Sequence, residues 1–279
     1  MDNRLVVTFG IPNSIVHHRP LCFAWDVITI LMRKLIPLRK SLLFSALALG
    51  SLSLQAQLTL VSSPYTQDFD AIGSGLPAGW TVRTGATAAA LGTSQTFVTS
   101  TSNGWTSTTA QFRNAASSEA PSASGDLTAV QATRTDRVPS VRQSGTFGDP
   151  GAAFVLEIAN TVGFSAFDLS FKLQSLDVGS ARVTTWRVDY GFGVSPTSFT
   201  AATTSPATLT TGGSTFTSQS VTVDFGSALD GQSGPVWIRI VTVTSSTGSG
   251  NRPTTGIDVF NLNYSAVALN NYVQFTSPN

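Results

Sequence analysis

The sequence predicts an all-β protein built as a sandwich or barrel, and two observations lead to this prediction. Apolar and polar residues alternate along many short runs, which is the two-residue period of a strand with one buried face. Clusters of Gly and Pro separate these runs, and no helical pattern after Ala56 exceeds two turns. Many short strands joined by such turns are typical of sandwiches and barrels.

Six runs are the clearest strand candidates, and five of them alternate. Residues 236–243 are apolar on both faces apart from Arg239 and Thr242, which predicts a strand at the centre of a sheet. Weaker candidates surround Phe69 and Phe112. The clear runs cover residues 154–158, 167–174, 186–192, 221–225, 236–243 and 260–264, and the remaining weak candidates cover residues 80–82, 97–98 and 127–130.

A second methionine, Met32, begins a complete secretory signal. Four Arg and Lys residues between positions 33 and 40 form a basic head, residues 42–54 are apolar, and Ala56 offers a small side chain at a cleavage site. The apolar run is shorter than the roughly 20 residues that a membrane-spanning helix needs. We expect export, either as a secreted or as a cell-surface protein. A genuine long leader from Met1 and a retained signal-anchor are the alternatives.

The predicted organisation has four parts. Residues 1–31 form an upstream segment that precedes the true start, and residues 32–56 form the signal peptide. Residues 57–266 form one β-sandwich domain, and residues 267–279 form a short C-terminal tail. The leader is expected to be disordered or helical, and the mature chain is expected to have no stable membrane span.

Cleavage after Ala56 would limit the chemistry open to the protein. The only histidines, His17 and His18, and the only cysteine, Cys22, lie upstream of this point. Their loss excludes a Ser-His-Asp triad, zinc sites built on His and Cys, and disulfides. The 10 basic and 13 acidic residues that remain give a formal charge of −3, against +1 for the whole chain. Such a chain is not expected to bind nucleic acid.

Motifs at both ends of the predicted domain resemble those of a known group of proteins. They are residues 65–70 (YTQDFD), 76–80 (LPAGW), 236–240 (VWIRI) and 256–262 (GIDVFNL). Their order resembles secreted bacterial jelly-roll domains of the cleaved-adhesin and choice-of-anchor type, which are similar to concanavalin-like and MAM sandwiches. The resemblance implies a two-sheet antiparallel jelly-roll sandwich.

The same resemblance implies a structural calcium ion held by acidic residues on the two end strands, which by position are Asp70 and Asp258. Asp258 has the parity of the apolar residues in the last strand, so we expect it to point toward the core. A carboxylate there needs a partner or a cation. Those domains carry a second acidic residue at the position of Val259, so this chain lacks that possible calcium ligand. The alternative is a turn cap, or an ion pair of Asp258 with Arg252 or Arg83.

Trp105 is the candidate for an exposed aromatic platform, because polar loop residues surround it. Arg113 and Asn114 follow and could donate hydrogen bonds to a sugar. The alternative for Trp105 is a loop anchor packed onto the sandwich. The tryptophans at positions 80, 186 and 237 are predicted to lie in the core. Asp136, Arg137 and Arg142 are expected to be solvated or paired with each other.

These observations favour a secreted, non-catalytic sandwich that acts as an adhesin-like or carbohydrate-binding module, with a glycan or a surface protein as partner. A structural cell-surface or matrix protein without a small ligand is the second hypothesis. The third is a glycoside hydrolase, since two carboxylates can perform that reaction without His or Cys. Asp68 and Asp70 have suitable spacing but lie on an expected edge strand, and Glu157 has no acidic partner nearby.

Overall fold

The computed structural model describes residues 56–119 and 122–268, in which fifteen β-strands are the main regular elements. The other regular elements described are a short helix, α1 (Thr128–Thr133), and one turn of 3-10 helix at Ile72–Ser74. The strands are β1 (Tyr65–Gln67), β2 (Trp80–Thr84), β3 (Thr93–Ser94), β4 (Phe97–Val98), β5 (Gln111–Ala116), β6 (Arg137–Arg142), β7 (Ala153–Ile158), β8 (Phe164–Ser175), β9 (Val183–Phe192), β10 (Thr200–Ala201), β11 (Thr203–Ser205), β12 (Leu209–Gly212), β13 (Thr217–Asp224), β14 (Val236–Val241) and β15 (Thr254–Ala266).

Several predictions concern residues outside these described parts. They are the upstream segment 1–31 with His17, His18 and Cys22, residues 32–55 of the signal peptide, and residues 269–279 of the tail. The predicted boundaries stay predictions. All described residues belong to one compact unit, Gln55–Asn279. Among them, no helix has the length and apolar character needed to cross a membrane.

Hydrogen bonds arrange the strands in two sheets, named here the front sheet and the back sheet. The front sheet has the order β11-β13-β8-β15-β6-β5-β4, and β1 also pairs with β15. The back sheet has the order β10-β9-β14-β7-β2-β3, and β12 also pairs with β9. These pairs are antiparallel except for the short pair β4–β5. The predicted two-sheet antiparallel sandwich is confirmed, and β14 lies between two strands as predicted for residues 236–243.

The core lies between the sheets, where alternate residues of each strand point inward. The four apolar residues of β8 between positions 167 and 173 are buried, as their alternation predicted. Trp80 on β2 packs edge-to-face on Phe69 and Phe260, at ring-centroid distances of 5.0 and 4.8 Å. Phe69 follows β1 and Phe260 lies on β15, so these rings join the start of the domain to its last strand. The two strands also pair directly.

Two local predictions are wrong. Residues 127–130 lead into helix α1, and their apolar side chains are largely exposed, so burial does not require a strand there. Arg137 and Arg142 are buried on β6 and not solvated. Arg137 donates a hydrogen bond to the side-chain oxygen of Asn114 at 2.7 Å, and Arg142 forms an ion pair with Asp177. These partners, on β5 and in the loop after β8, make the burial tolerable, since a charge with partners costs far less to bury than a lone one.

Candidate functional site on the front sheet

Loops close the outer face of the back sheet, the face that points away from the core. Arg239 is fully buried there and donates hydrogen bonds to both carboxylate oxygens of Asp189, at 2.7 and 2.8 Å. Its guanidinium lies over the ring of Phe199 and also donates to backbone carbonyls in residues 85–92. Trp237 and Phe199 are buried in an apolar cluster on this face. The protein's own loops therefore cover the central part of the back sheet's outer surface.

Part of the front sheet's outer face is covered in the same way by the loop that contains Trp105. The side chain of Trp105 is only 2% exposed, and its ring packs against Phe216. The indole N–H donates to the carbonyl of Ala116 at 2.9 Å, and the backbone N–H donates to the Gln131 side chain at 2.8 Å. Trp105 therefore anchors this loop. Its ring face is not exposed, as the platform prediction required it to be.

Arg113 and Asn114 lie next to Trp105 but are buried as well. Arg113 donates to the carbonyl of Trp105 at 3.2 Å, and burial lowers its pKa to about 10. Asn114 accepts the hydrogen bond from Arg137 described above. The structure brings the three predicted ligand-binding residues together inside the protein. Ligand binding by them stays a prediction, and they offer no exposed surface for it.

The remaining outer face of the front sheet is open, over strands β11, β13, β8, β15 and β1. One residue from each strand lies in register across this face, and each carries a short hydroxyl or amide side chain. Since neighbouring strands are about 4.8 Å apart, this row spans roughly 19 Å. We call it the polar row; it consists of Ser205, Thr222, Ser170, Asn261 and Thr66.

The open face is mainly acidic. Asp168 on β8 lies directly opposite Asp224 on β13, and both residues are exposed. Asn263 donates a hydrogen bond to Asp168 at 2.8 Å. Lys172 is the basic residue on the described part of this face, and it pairs with Glu119 at 3.1 Å. A ligand of this face therefore meets neutral hydrogen-bonding groups and carboxylates.

A groove of about 360 Å³ runs beside the β1 end of the polar row. Its walls are residues 66–67 of β1 with the following Asp68, and residues 259–261 of β15. The side-chain oxygen of Asn261 is buried without a hydrogen-bond partner, in a residue that belongs both to the polar row and to the groove. Val259 is 49% exposed in the groove wall. The groove and the polar row form one continuous candidate site.

A β-bulge shapes this end of β15. The pairing of β15 with β8 shifts between Asp258 and Asn261, and Val259 has φ 47°. The bulge adds one residue, so Asp258 lies opposite Lys172 on the outer side of the sheet, while Phe260 points into the core. The expectation that Asp258 shares the core-facing parity of Phe260 is therefore wrong, because alternation is interrupted at a bulge.

Asp258 is nevertheless only 2% exposed. One carboxyl oxygen accepts the backbone N–H of Val259 at 2.7 Å, and the other accepts Ser117 at 3.1 Å and Gln174 at 3.3 Å. The bond to Val259 corresponds to the turn-cap alternative. Burial raises the pKa of Asp258 to about 7, and the nearby carboxylate of Asp136 adds to the rise. Asp258 is thus a buried acid that holds a proton up to neutral pH.

The predicted calcium ligands do not complete a calcium site. The Asp70 carboxylate accepts the backbone N–H of Arg137 at 2.9 Å. The carboxylate of Asp136 interacts electrostatically with the carboxyl groups of Asp70 and Asp258. In residues 56–119 and 122–268, no three acidic, His or Cys side chains form a group that could hold a metal ion. Calcium needs 6–8 oxygen ligands. Calcium binding therefore stays a prediction, and no function is derived from it.

Comparisons with known proteins give distant likenesses. A xylan-binding domain from Paenibacillus barcinonensis is 10% identical with a TM-score of 0.38, over 75% of this chain and 100% of that one. The cleaved adhesin domain of Lys-gingipain from Porphyromonas gingivalis is 15% identical with a TM-score of 0.39, over 72% and 98%. A cyclase from a Fischerella species is 14% identical with a TM-score of 0.37, over 75% and 91%.

No family model and no curated protein matches the sequence. Likenesses to solved structures at such identities and TM-scores do not indicate a function. Membership of the cleaved-adhesin or choice-of-anchor group stays a prediction. The residues of the chain itself must carry any functional proposal.

The sequence contains the polar row, but not as a recognisable site. Ser170, Thr222 and Asn261 are polar positions inside runs that were predicted as strands, so their outward direction could be read from the alternation. What alternation cannot give is which outer face the loops leave open. The signal that could have pointed to the front sheet is the absence of apolar residues at those outward positions.

Proposed function

We propose that the protein is a non-catalytic glycan-binding module whose ligand lies on the open face of the front sheet. The observation that carries this proposal is the uncovered polar row beside a groove, while loops cover the centre of the back sheet's outer face and the Trp105 end of the front sheet's outer face. Regularly spaced hydroxyl and amide groups can donate and accept hydrogen bonds with successive sugar hydroxyls. A row of roughly 19 Å suits an extended polymer better than a small compact ligand.

The buried side chains favour this proposal over the aromatic platform. A sugar that needed Trp105 would have to displace a loop held by two hydrogen bonds of the Trp105 residue. The polar row needs no such rearrangement. We keep export through the predicted signal peptide as part of the proposal, since a polysaccharide ligand would be met outside the cell.

The hydrolase hypothesis has no comparable support. Two carboxyl groups with raised pKa values, Asp258 and Asp136, lie near each other, which is one sign of a catalytic site. A glycosidase acid must reach the glycosidic oxygen, however, and Asp258 is buried beneath Ser117 and Gln174. A protein partner on the same face, as in an adhesin, is the alternative, and it predicts no retention in the polysaccharide test below.

Retention on insoluble polysaccharides tests the proposal. The full chain is expressed, and the product is incubated with cellulose, xylan and chitin. We expect retention on at least one of them, and we expect Asn261→Ala with Thr222→Val to weaken it roughly tenfold, since each lost hydrogen bond contributes about 0.5–1.5 kcal/mol. Thr146→Val, an exposed threonine in the β6–β7 loop, is the matched control. No retention on any polysaccharide, or equal retention by the double variant, contradicts the proposal.

A further inference from the structure

Val259 has a backbone conformation that its side chain disfavours. Its φ of 47° lies in the left-handed region, which Gly, Asn and Asp adopt far more readily than a β-branched residue. Strain of this kind persists only where the surrounding structure enforces it, and it is concentrated at functional sites. Packing in the core does not explain it here, because half of the Val259 surface is exposed.

The bulge holds Val259 in this conformation from both sides. The N–H of Val259 donates to the carboxyl group of its neighbour Asp258, which Ser117 and Gln174 in turn fix in place. On the other side, Phe260 is anchored in the core by its edge-to-face contact with Trp80. These contacts fix the backbone of Val259 at the groove wall.

Val259 also differs in chemistry from the surface around it. Its neighbours in the polar row are hydroxyl and amide residues, and Thr66 and Asp68 line the opposite wall of the groove. Among the described residues that line the groove, Val259 is the one with an exposed aliphatic side chain. A strained, exposed apolar residue is thus placed at the end of a row of hydrogen-bonding groups.

We propose that Val259 is the apolar contact of this glycan-binding face and determines which sugar is bound. This inference rests on the proposed function. A pyranose with all its hydroxyls equatorial has hydrogen-bonding groups around its rim and C–H bonds on its two faces. One such face packs on Val259, while the rim bonds to Asn261 and Thr66. The ligand class is then a flat, β-linked polymer of such sugars, such as a β-1,4-glucan or xylan.

Two substitutions separate strain from binding. Val259→Asn and Val259→Gly fit the left-handed conformation, so we expect variants that are no less stable than the wild type in urea unfolding. Both remove the aliphatic contact, so we expect affinity for cello- or xylo-oligosaccharides to fall roughly five- to tenfold. Val194→Ala, at an 81% exposed valine on the β9–β10 loop, is the control and should change neither quantity.

The outcomes distinguish this inference from the function on which it rests. If the wild type binds no polysaccharide, the proposed function fails and the inference fails with it. If the wild type binds and both Val259 variants bind equally well, only the role of Val259 is refuted. A clear loss of stability in Val259→Asn would refute the strain argument. Equal binding of axially substituted polymers, such as mannan, would refute the assigned ligand class.

Discussion

Replacing Asp258 with Asn tests whether the protein keeps a buried acid protonated near neutral pH. The carboxyl is almost fully buried, and its pKa rises from 3.8 to about 7 because of burial first and the neighbouring Asp136 and Glu119 carboxylates second. The folded protein therefore holds a proton that the unfolded chain has already released. Stability should fall as the pH rises from about 4 through 7.

The size of the effect follows from the shift. About three pKa units, at roughly 1.4 kcal/mol each, correspond to at most about 4 kcal/mol of stability lost once the pH exceeds 7. Asp258→Asn removes the charge and keeps an oxygen for the Val259 N–H. In the variant, the side-chain NH2 of Gln174 faces the NH2 of the new Asn. Both groups are donors, so this hydrogen bond is lost, at a cost of about 1 kcal/mol. We expect the variant to be more stable than the wild type by roughly 2–3 kcal/mol at about pH 8.

Urea unfolding at a series of pH values measures this difference. The wild-type and variant curves should cross at about pH 4.5, with the wild type more stable at about pH 4 and less stable at about pH 8. Asp168→Asn, at an exposed carboxylate on the same sheet face, should change stability by no more than about 0.5 kcal/mol at either pH. Parallel wild-type and Asp258→Asn curves would refute the reasoning.

The same experiment examines calcium. A bound calcium ion would stabilise the ionised form of Asp258, so added calcium would raise the melting temperature near pH 8 and flatten the pH dependence. An unchanged melting temperature with and without a chelator counts against a bound ion.

Below about pH 4 a loss of stability is expected from Asp149. Burial raises the pKa of this carboxyl, but hydrogen bonds from Ser246 and the ion pair with Arg252 outweigh burial and lower it.

Two further predictions concern the loops that cover the outer faces. Trp105→Ala should lower stability by about 3–5 kcal/mol, because it empties a buried site and leaves the carbonyl of Ala116 without its donor; a loss below about 1 kcal/mol in urea unfolding would contradict the anchor role. Asp189→Ala should cost about 3–5 kcal/mol by leaving Arg239 buried without its carboxylate. Asp189→Ala with Arg239→Met should recover most of that loss, and no recovery would mean that the pair does not act as a unit.

The sequence predicts the strands of the core well because alternation reports burial directly. The run at residues 167–174 lies within β8 with its predicted face inward, and residues 236–243 contain a central strand. The end strands meet as the terminal motifs implied, through the pairing of β1 with β15. These features depend on local pattern, and local pattern is what a single sequence contains.

The site was harder to predict because it depends on contacts between distant segments. Trp105 is buried by a bond to Ala116 and by Phe216, which lies 111 positions away in the chain. Asp258 points to the outer side of the sheet and not to the core, because the bulge adds one residue to β15. Arg137 is buried, and Asn114 on β5 accepts one of its hydrogen bonds. None of these partners can be recognised from the residues next to it in sequence.

The two outer faces differ for a physical reason that also restricts the ligand. The back sheet's outward positions include Val155, Trp237 and Val241, and apolar groups in such numbers must be covered, so loops close over them. The open part of the front sheet carries Ser, Thr and Asn outward, which water solvates without cover. A ligand of the exposed face must therefore replace water at polar groups, and each hydrogen bond exchanged with water contributes only about 0.5–1.5 kcal/mol of net affinity. The proposed contact of a sugar face with Val259 would add the free energy of burying aliphatic surface, which the hydrogen bonds alone do not supply.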